Sequence, residues 1–366
     1  MRWIVLLTLP LTAAYVSRGA KFAADVMCFS DEGTQSDVIR KITCENLSEA
    51  DLLSSEKVLS RGYGVYAEIS SDEIRLRSPL DMKAENAGEK PYPEKWTKGA
   101  AIVRSAFGRY SGNSYFNLDG GSQVNNRTSL SNELLKSESR KAPDFTLIDT
   151  IEPQVLLYHT HTTESFEPYV RENIDAEFNY RTTDETKNMV MVGNAIQAEL
   201  EARGIGVIHV TEIHDYPSYN GSYGRSRESI IPILEKYPEI KVVLDIHRDA
   251  VSGDGYVTQP FVEINGREAA QIMIISGCDD GTLDMPDYLK NFHFASALQK
   301  QVESDYPTLA RPILFDYRHY NQDLTTGSLL IEIGSHGNTL EQAQYSGQLV
   351  GRSLCRLLEE MMDNET

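Results

Sequence analysis

What this 366-residue chain has little of narrows its chemistry first. Cysteine is scarce: Cys28, Cys44, Cys278 and Cys355 are the whole set, and no two stand at Cys-x-x-Cys spacing. That excludes a disulfide-built scaffold and a cysteine zinc knot, and leaves a Cys28–Cys44 bridge as the one pairing open. Long basic runs are absent, and Asp plus Glu outnumber Lys plus Arg by 54 to 35, for a net charge of −19. Such a field repels a polyanion, so nucleic acid is excluded as the expected partner. Internal repeats are absent as well. The apolar stretch from Trp3 to Val16 is shorter than the ~20 residues of a full membrane span. It follows Arg2 and precedes Arg18 and Lys21, with small residues in and just after it at Ala13, Ala14 and Ala20, as in an export signal. Residues 1–23 are therefore expected to be a signal peptide or membrane anchor, with the rest of the chain on the extracytoplasmic side.

Residues 24–147 are weakly patterned. "AEISSDEIRLRS" alternates enough for strands, whereas "GRYSGNSYFNLDGGSQVNNRTSLSN" is rich in Gly, Ser and Asn and reads as loops or a linker. The character changes near residue 148. "QVLLY" is a short apolar run bounded by polar residues, a buried strand. "KNMVMVGNAIQAELEARG" puts Val192, Ala195, Ile196 and Leu200 on one helix face, with Gly204 as its stop. Strand patterns then recur in "VIHVTE", "IKVVLDIH", "ILFDY" and "GSLLIEIGS". Between and after them come helical patterns in "SRESIIPILEKYP", "DYLKNFHFASALQKQVESDY" and from Thr339 to about Glu360. A hairpin is expected over "GYVTQPFVEINGREAAQIMIIS", turning at Asn265-Gly266. Alternating strands and helices predict an α/β fold over residues 148–366, a mixed or mostly parallel sheet with helices on both faces.

Sites in open α/β sheets form where strands end. Three strand ends here carry metal-competent or acid–base groups: "LLYHTHTTE", "VLDIHRDA" and "LLIEIGSHGN". Four of the eight histidines, His159, His161, His247 and His336, fall in them. Zinc favours imidazole nitrogen and carboxylate oxygen, and a catalytic zinc keeps one position for water. His161 and Glu164, at His-x-x-Glu spacing, with His247 from a distant strand, make such an open set. Side chains on alternate residues of an extended segment face opposite ways, so only one of His159 and His161 is expected to serve; both stay open, with His161 preferred. Glu332, between Ile331 and Ile333, is the candidate general base, its pKa raised by desolvation. Arg248 is a candidate for stabilising an oxyanion or a substrate carboxylate. In "HDYPSYNGSYGRSRES", Tyr219, Tyr223, Arg225 and Arg227 are candidate substrate contacts, rings for sugar faces and guanidinium groups for carboxylates. His336 is placed with them.

The strings "YHTHTTESF", "RTTD", "HDYPSYNGSYGRSRESI", "VVLDIHRDA" and "LLIEIGSHGN" closely resemble, in that order, the stage II sporulation protein P family. The resemblance implies an α/β zinc amidase fold and a peptidoglycan hydrolase acting in engulfment during endospore formation. It implies a zinc-dependent N-acetylmuramoyl-L-alanine amidase, also credited with endopeptidase action. It further implies stage II sporulation proteins D and M as partners, with attachment to the mother-cell membrane. Carried over residue by residue, it gives a histidine of "HTH", His247 and Glu332. In related amidases the metal glutamate opens the first long helix, which by count falls at Glu185; Glu164 is preferred and Glu185 stays open. Two other functions fit the same residues: a carboxypeptidase-type metallopeptidase of stem peptides, and a wall-binding scaffold without activity.

Overall fold

The computed structural model describes residues 89–363 apart from Asp149 and Ile151. The expected leader and the Cys28–Cys44 pair lie outside the described residues. The main sheet has eight strands in the order β2-β3-β12-β11-β13-β7-β4-β6. These are β2 (Tyr115–Asn117), β3 (Gln123–Asn126), β4 (Pro153–Tyr158), β6 (Gly206–His209), β7 (Val242–Asp249), β11 (Ile272–Cys278), β12 (Ile313–Tyr317) and β13 (Gly327–Ser335). Pairing is parallel except at β2–β3 and β11–β13. A second sheet runs β10-β9-β1-β5, built from β1 (Lys98–Ser105), β5 (Asn173–Asp175), β9 (Tyr256–Ile264) and β10 (Arg267–Ala270), with the short β8 (Ser252–Gly253) on β9. The expected α/β class is the observed one.

The boundary expected at residue 148 does not separate the structure. β1, β2, β3 and helix α1 (Asn132–Glu138) come from the weakly patterned stretch, yet β3 pairs with β12 and β1 with β9. Their pattern is weak for a physical reason. β1 is half exposed along its length, so it needs no apolar periodicity, and β2 and β3 are short strands at one edge. The hairpin is also shorter than expected. Asn265 and Gly266 both have positive φ (52° and 74°) and turn β9 into β10, but β11 leaves for the main sheet.

Period-2 alternation sorts the central strands onto two faces. Val155, Leu157, Val242, Leu244, Ile331 and Ile333 belong to the large core with α2 (Val190–Glu201), α4 (Tyr288–Asp305) and α5 (Leu340–Asp363). Leu156, Tyr158 and Val243 pack on the other face against Ile230 of α3 (Ser222–Lys236). Helices therefore cover both faces. On β7 the residues that continue the α3 face are Asp245 and His247, and Glu332 of β13 stands beside His247 in register. β4, β7 and β13 are mutually parallel, so their C-terminal ends coincide.

Helix α2 packs close to the sheet through Gly193. A Cβ there would lie 2.3 Å from His209 Nε2 and 2.8 Å from His159 Nε2. Gly193→Ala is expected to lower stability by about 1–3 kcal/mol through overpacking, read as a drop in thermal midpoint. An unchanged midpoint would show that the histidines can retreat.

Candidate active site

His159 follows β4 on the α2 face, the wrong side for His247. Its Nδ1 lies 2.8 Å from Ile246 O, a carbonyl that only accepts, so Nδ1 carries the hydrogen. Nε2 is then an acceptor, and His209 Nε2 donates to it at 2.8 Å. Burial holds both rings below the usual imidazole range, His209 at about 4. His159 is thus a neutral, internally satisfied residue, away from the other candidates. Its carbonyl accepts from Thr162 Oγ1 and from His214 Nδ1, which fixes the turn that follows.

That turn carries His161 and Glu164 to the α3 face. The His161 and His247 ring centroids are 5.1 Å apart, and Glu164 Oε2 lies 3.9 Å from His247 Nδ1. Glu164 Oε2 also accepts from the Arg248 backbone N–H at 3.0 Å, and its Oε1 lies 3.3 Å from Arg181 Nη2. Burial, then the neighbouring charge of His247, depresses the His161 pKa, so this imidazole is neutral and has a lone pair to offer. Tyr219 Oη is 2.7 Å from His161 Nε2, but the two rings are stacked, 4.2 Å apart and 17° from parallel. The hydroxyl therefore lies over the imidazole face rather than along its in-plane lone pair. Arg181 sits over the outer side of Tyr219, 4.5 Å from its centroid.

His247 differs. Burial alone would push its pKa down, but Asp245, Glu164 and Glu332 outweigh that and hold it up at about 9. The Glu332 carboxyl is pushed well above the ordinary range by burial first and by Asp249 second, with His247 opposing. Its Oε2 is buried without a hydrogen-bond partner. A buried cluster with this surplus of carboxylate seeks a cation. No group of three or more His, Cys, Asp or Glu among the described residues is already drawn to metal-binding spacing. The donor types nonetheless fit zinc: two imidazoles and a carboxylate lie close together on the α3 face.

Several expectations need correcting. Glu185 is exposed in the turn before α2 and takes no part in the cluster. Arg248 is buried, with Nη1 donating to Asp249 O and Nη2 to Tyr180 O while Nε has no hydrogen-bond partner; the backbone N–H, not the side chain, reaches Glu164. Arg225 donates to the carbonyls of His214, Ser218 and Asn220 and pins its own loop. Arg227 makes a two-point pair with Asp323 at 2.7 and 2.6 Å. Arg227→Ala is accordingly expected to leave hydrolysis unchanged and to cost about 1 kcal/mol or less of stability. A raised KM in steady-state assays would return it to the substrate contacts. Tyr223 does reach the cluster, stacked near His247 at 6.2 Å and edge-on to His161 at 5.6 Å. His336 is half-buried beside Tyr180, its pKa pushed down to about 3 by burial and Arg248, so it is neutral.

The sequence reading missed Arg181, Asp215 and Asp245. Asp215 accepts from the Thr163 N–H and hydroxyl and pairs with Arg181 at 2.7 Å. Asp245 could have been found, because two residues before His247 on one strand is the same face. Arg181 carried no such signal, since a long loop separates it from Glu164.

The family model for stage II sporulation protein P matches residues 89–354. Stage II sporulation protein P of Bacillus subtilis (strain 168) is 29% identical over 201 residues, 52% of this chain and 47% of that one. The match thus spans about half the length of that relative. Among solved structures, the N-acetylmuramoyl-L-alanine amidase AmiC2 of Nostoc punctiforme is 10% identical, covering 57% of this chain and 97% of that one, with a TM-score of 0.34. The N-acetylmuramoyl-L-alanine amidase of Clostridium difficile 630 is 14% identical over 59% and 100%, also at 0.34. The family match covers the two sheets, the turn after β4 and the cluster it builds, and this chain belongs to the stage II sporulation protein P family.

Proposed function

We propose that the protein is a zinc-dependent peptidoglycan hydrolase, an N-acetylmuramoyl-L-alanine amidase, acting in wall remodelling and engulfment during endospore formation. The observation that carries this reading is the meeting of His161, Glu164, His247 and Glu332 at the coincident ends of β4, β7 and β13. His161, Glu164 and His247 would hold the metal. When bound, zinc supplies Lewis acidity toward a carbonyl oxygen and lowers the pKa of a bound water to about 7.

The chain's own residues supply the rest. Glu332 takes a proton from the attacking water and passes it to the leaving nitrogen of L-alanine, a task that needs a carboxylate of raised pKa. The Tyr219 and Tyr223 rings form the wall of the site toward α3, with apolar faces suited to the sugar or the stem. Burial of the cluster keeps bulk water from competing for these groups. Attachment to the mother-cell membrane through residues 1–23, and work beside stage II sporulation proteins D and M, belong to the same proposal.

The test is zinc content and product end groups with purified peptidoglycan. About one zinc per chain with new amino-terminal L-alanine supports the amidase. New ends within the stem would move the assignment to an endopeptidase, and tight wall binding without zinc or cleavage would overturn it in favour of a scaffold.

A further inference from the structure

One buried carboxylate joins the two strand ends that carry the candidate ligands. Asp245 is fully buried on β7, two residues before His247 and on the same face. Its Oδ1 lies 2.7 Å from His247 Nε2. The approach is off the ring's N–H direction, since no aligned hydrogen bond is made at that nitrogen. The same carboxylate accepts from the Thr160 N–H at 2.8 Å and from the Thr160 hydroxyl at 2.7 Å. Thr160 is the residue before His161, and its hydroxyl also contacts Ser226 of α3 at 2.9 Å. Asp245 thus touches one candidate ligand directly and holds the backbone beside the other.

A buried carboxylate with its partners withdrawn would be costly, so these contacts are mutually enforced rather than incidental. Two donors of Thr160 reach its two oxygens, and the backbone N–H of the pair cannot turn away without moving the chain at His161. The electrostatic consequence for His247 follows. With negative charge fixed against Nε2, the hydrogen of a neutral ring belongs on that nitrogen, and Nδ1, the nitrogen facing Glu164 at 3.9 Å, keeps its lone pair.

We infer that Asp245 is a positioning residue of the metal centre, which selects Nδ1 of His247 as the ligating atom and fixes the approach of His161 through Thr160. The inference rests on the zinc reading above. Carboxylates behind metal-bound imidazoles act in this way in general, and their removal weakens metal binding by about 10–100-fold.

The experiment is zinc affinity by competition with a chromogenic chelator, on the purified full chain, for wild type, Asp245→Asn and Thr160→Val, with thermal unfolding of each in chelator. Asparagine keeps the size and one acceptor for Thr160, but removes the charge behind His247. The expected result is a folded Asp245→Asn protein whose zinc dissociation constant rises about 10–100-fold, with a smaller rise for Thr160→Val. Wild-type affinity in a folded Asp245→Asn protein overturns the inference while leaving the metal centre standing. Absence of zinc binding by wild type overturns both, and is thereby told apart. If Asp245→Asn does not fold, Thr160→Val decides: weakened zinc binding supports the positioning role, and unchanged binding rejects it.

Discussion

Glu332→Gln is expected to keep zinc and the native fold while losing hydrolysis by about 10²–10⁴-fold, the usual worth of a general base. The amide has the same shape, so the packing between Ile331 and Ile333 in the large core is undisturbed. It has no lone pair of useful basicity, so the proton of the attacking water has no acceptor. Stability should hold or rise slightly in the metal-free protein. Glu332 Oε2 is buried without a hydrogen-bond partner, and an uncharged group lightens the desolvation penalty there. The checks are zinc content, thermal unfolding and turnover measured side by side. Retained turnover would assign the base elsewhere, and lost zinc would make Glu332 a ligand.

His247→Ala should lose zinc and activity together. It also has a cost that appears without any metal. The imidazolium is the positive centre between Asp245, Glu164 and Glu332, and truncating it leaves buried carboxylates facing one another. Breaking a buried pair in this way costs about 3–5 kcal/mol. Denaturant unfolding in excess chelator isolates that contribution from the loss of zinc. A variant as stable as wild type under those conditions would mean that the carboxylates protonate at no cost, and that His247 is not their counter-ion. The contrast between the two variants is diagnostic: Glu332→Gln separates chemistry from binding, whereas His247→Ala removes both and weakens the fold.

The two variants also mark how far the sequence could be read. Strand-end placement of the "HTH", "DIH" and "LIEIG" segments followed from apolar runs that stop at polar residues, and the apolar neighbours Ile331 and Ile333 marked Glu332 as a desolvated carboxylate. Alternation allowed only one of His159 and His161 to serve, and nearness to Glu164 favoured His161; the structure places His161 in the cluster and His159 against His209. The arginines were read less well. Arg225, Arg227 and Arg248 looked like cations awaiting substrate, but a guanidinium has five donors and takes whichever acceptors the fold brings near, here loop carbonyls and Asp323. Residues 98–138 were under-read because strands that lie half exposed or at an edge carry little apolar pattern.

The sequence by itself therefore determined the α/β class, the family and the short list of metal-competent groups, because strand period, turn residues and long motif strings are local properties. Tertiary structure alone decided which groups meet. Parallel pairing of β4, β7 and β13 stacks their C-terminal ends, and the turn after His159 swings His161 and Glu164 onto the α3 face. It also brought in Asp245 as the link between two strands and Arg181 as the partner of Glu164. Those contacts join residues 17 to 85 positions apart, a separation at which no spacing rule operates and only the packed sheet sets the distance.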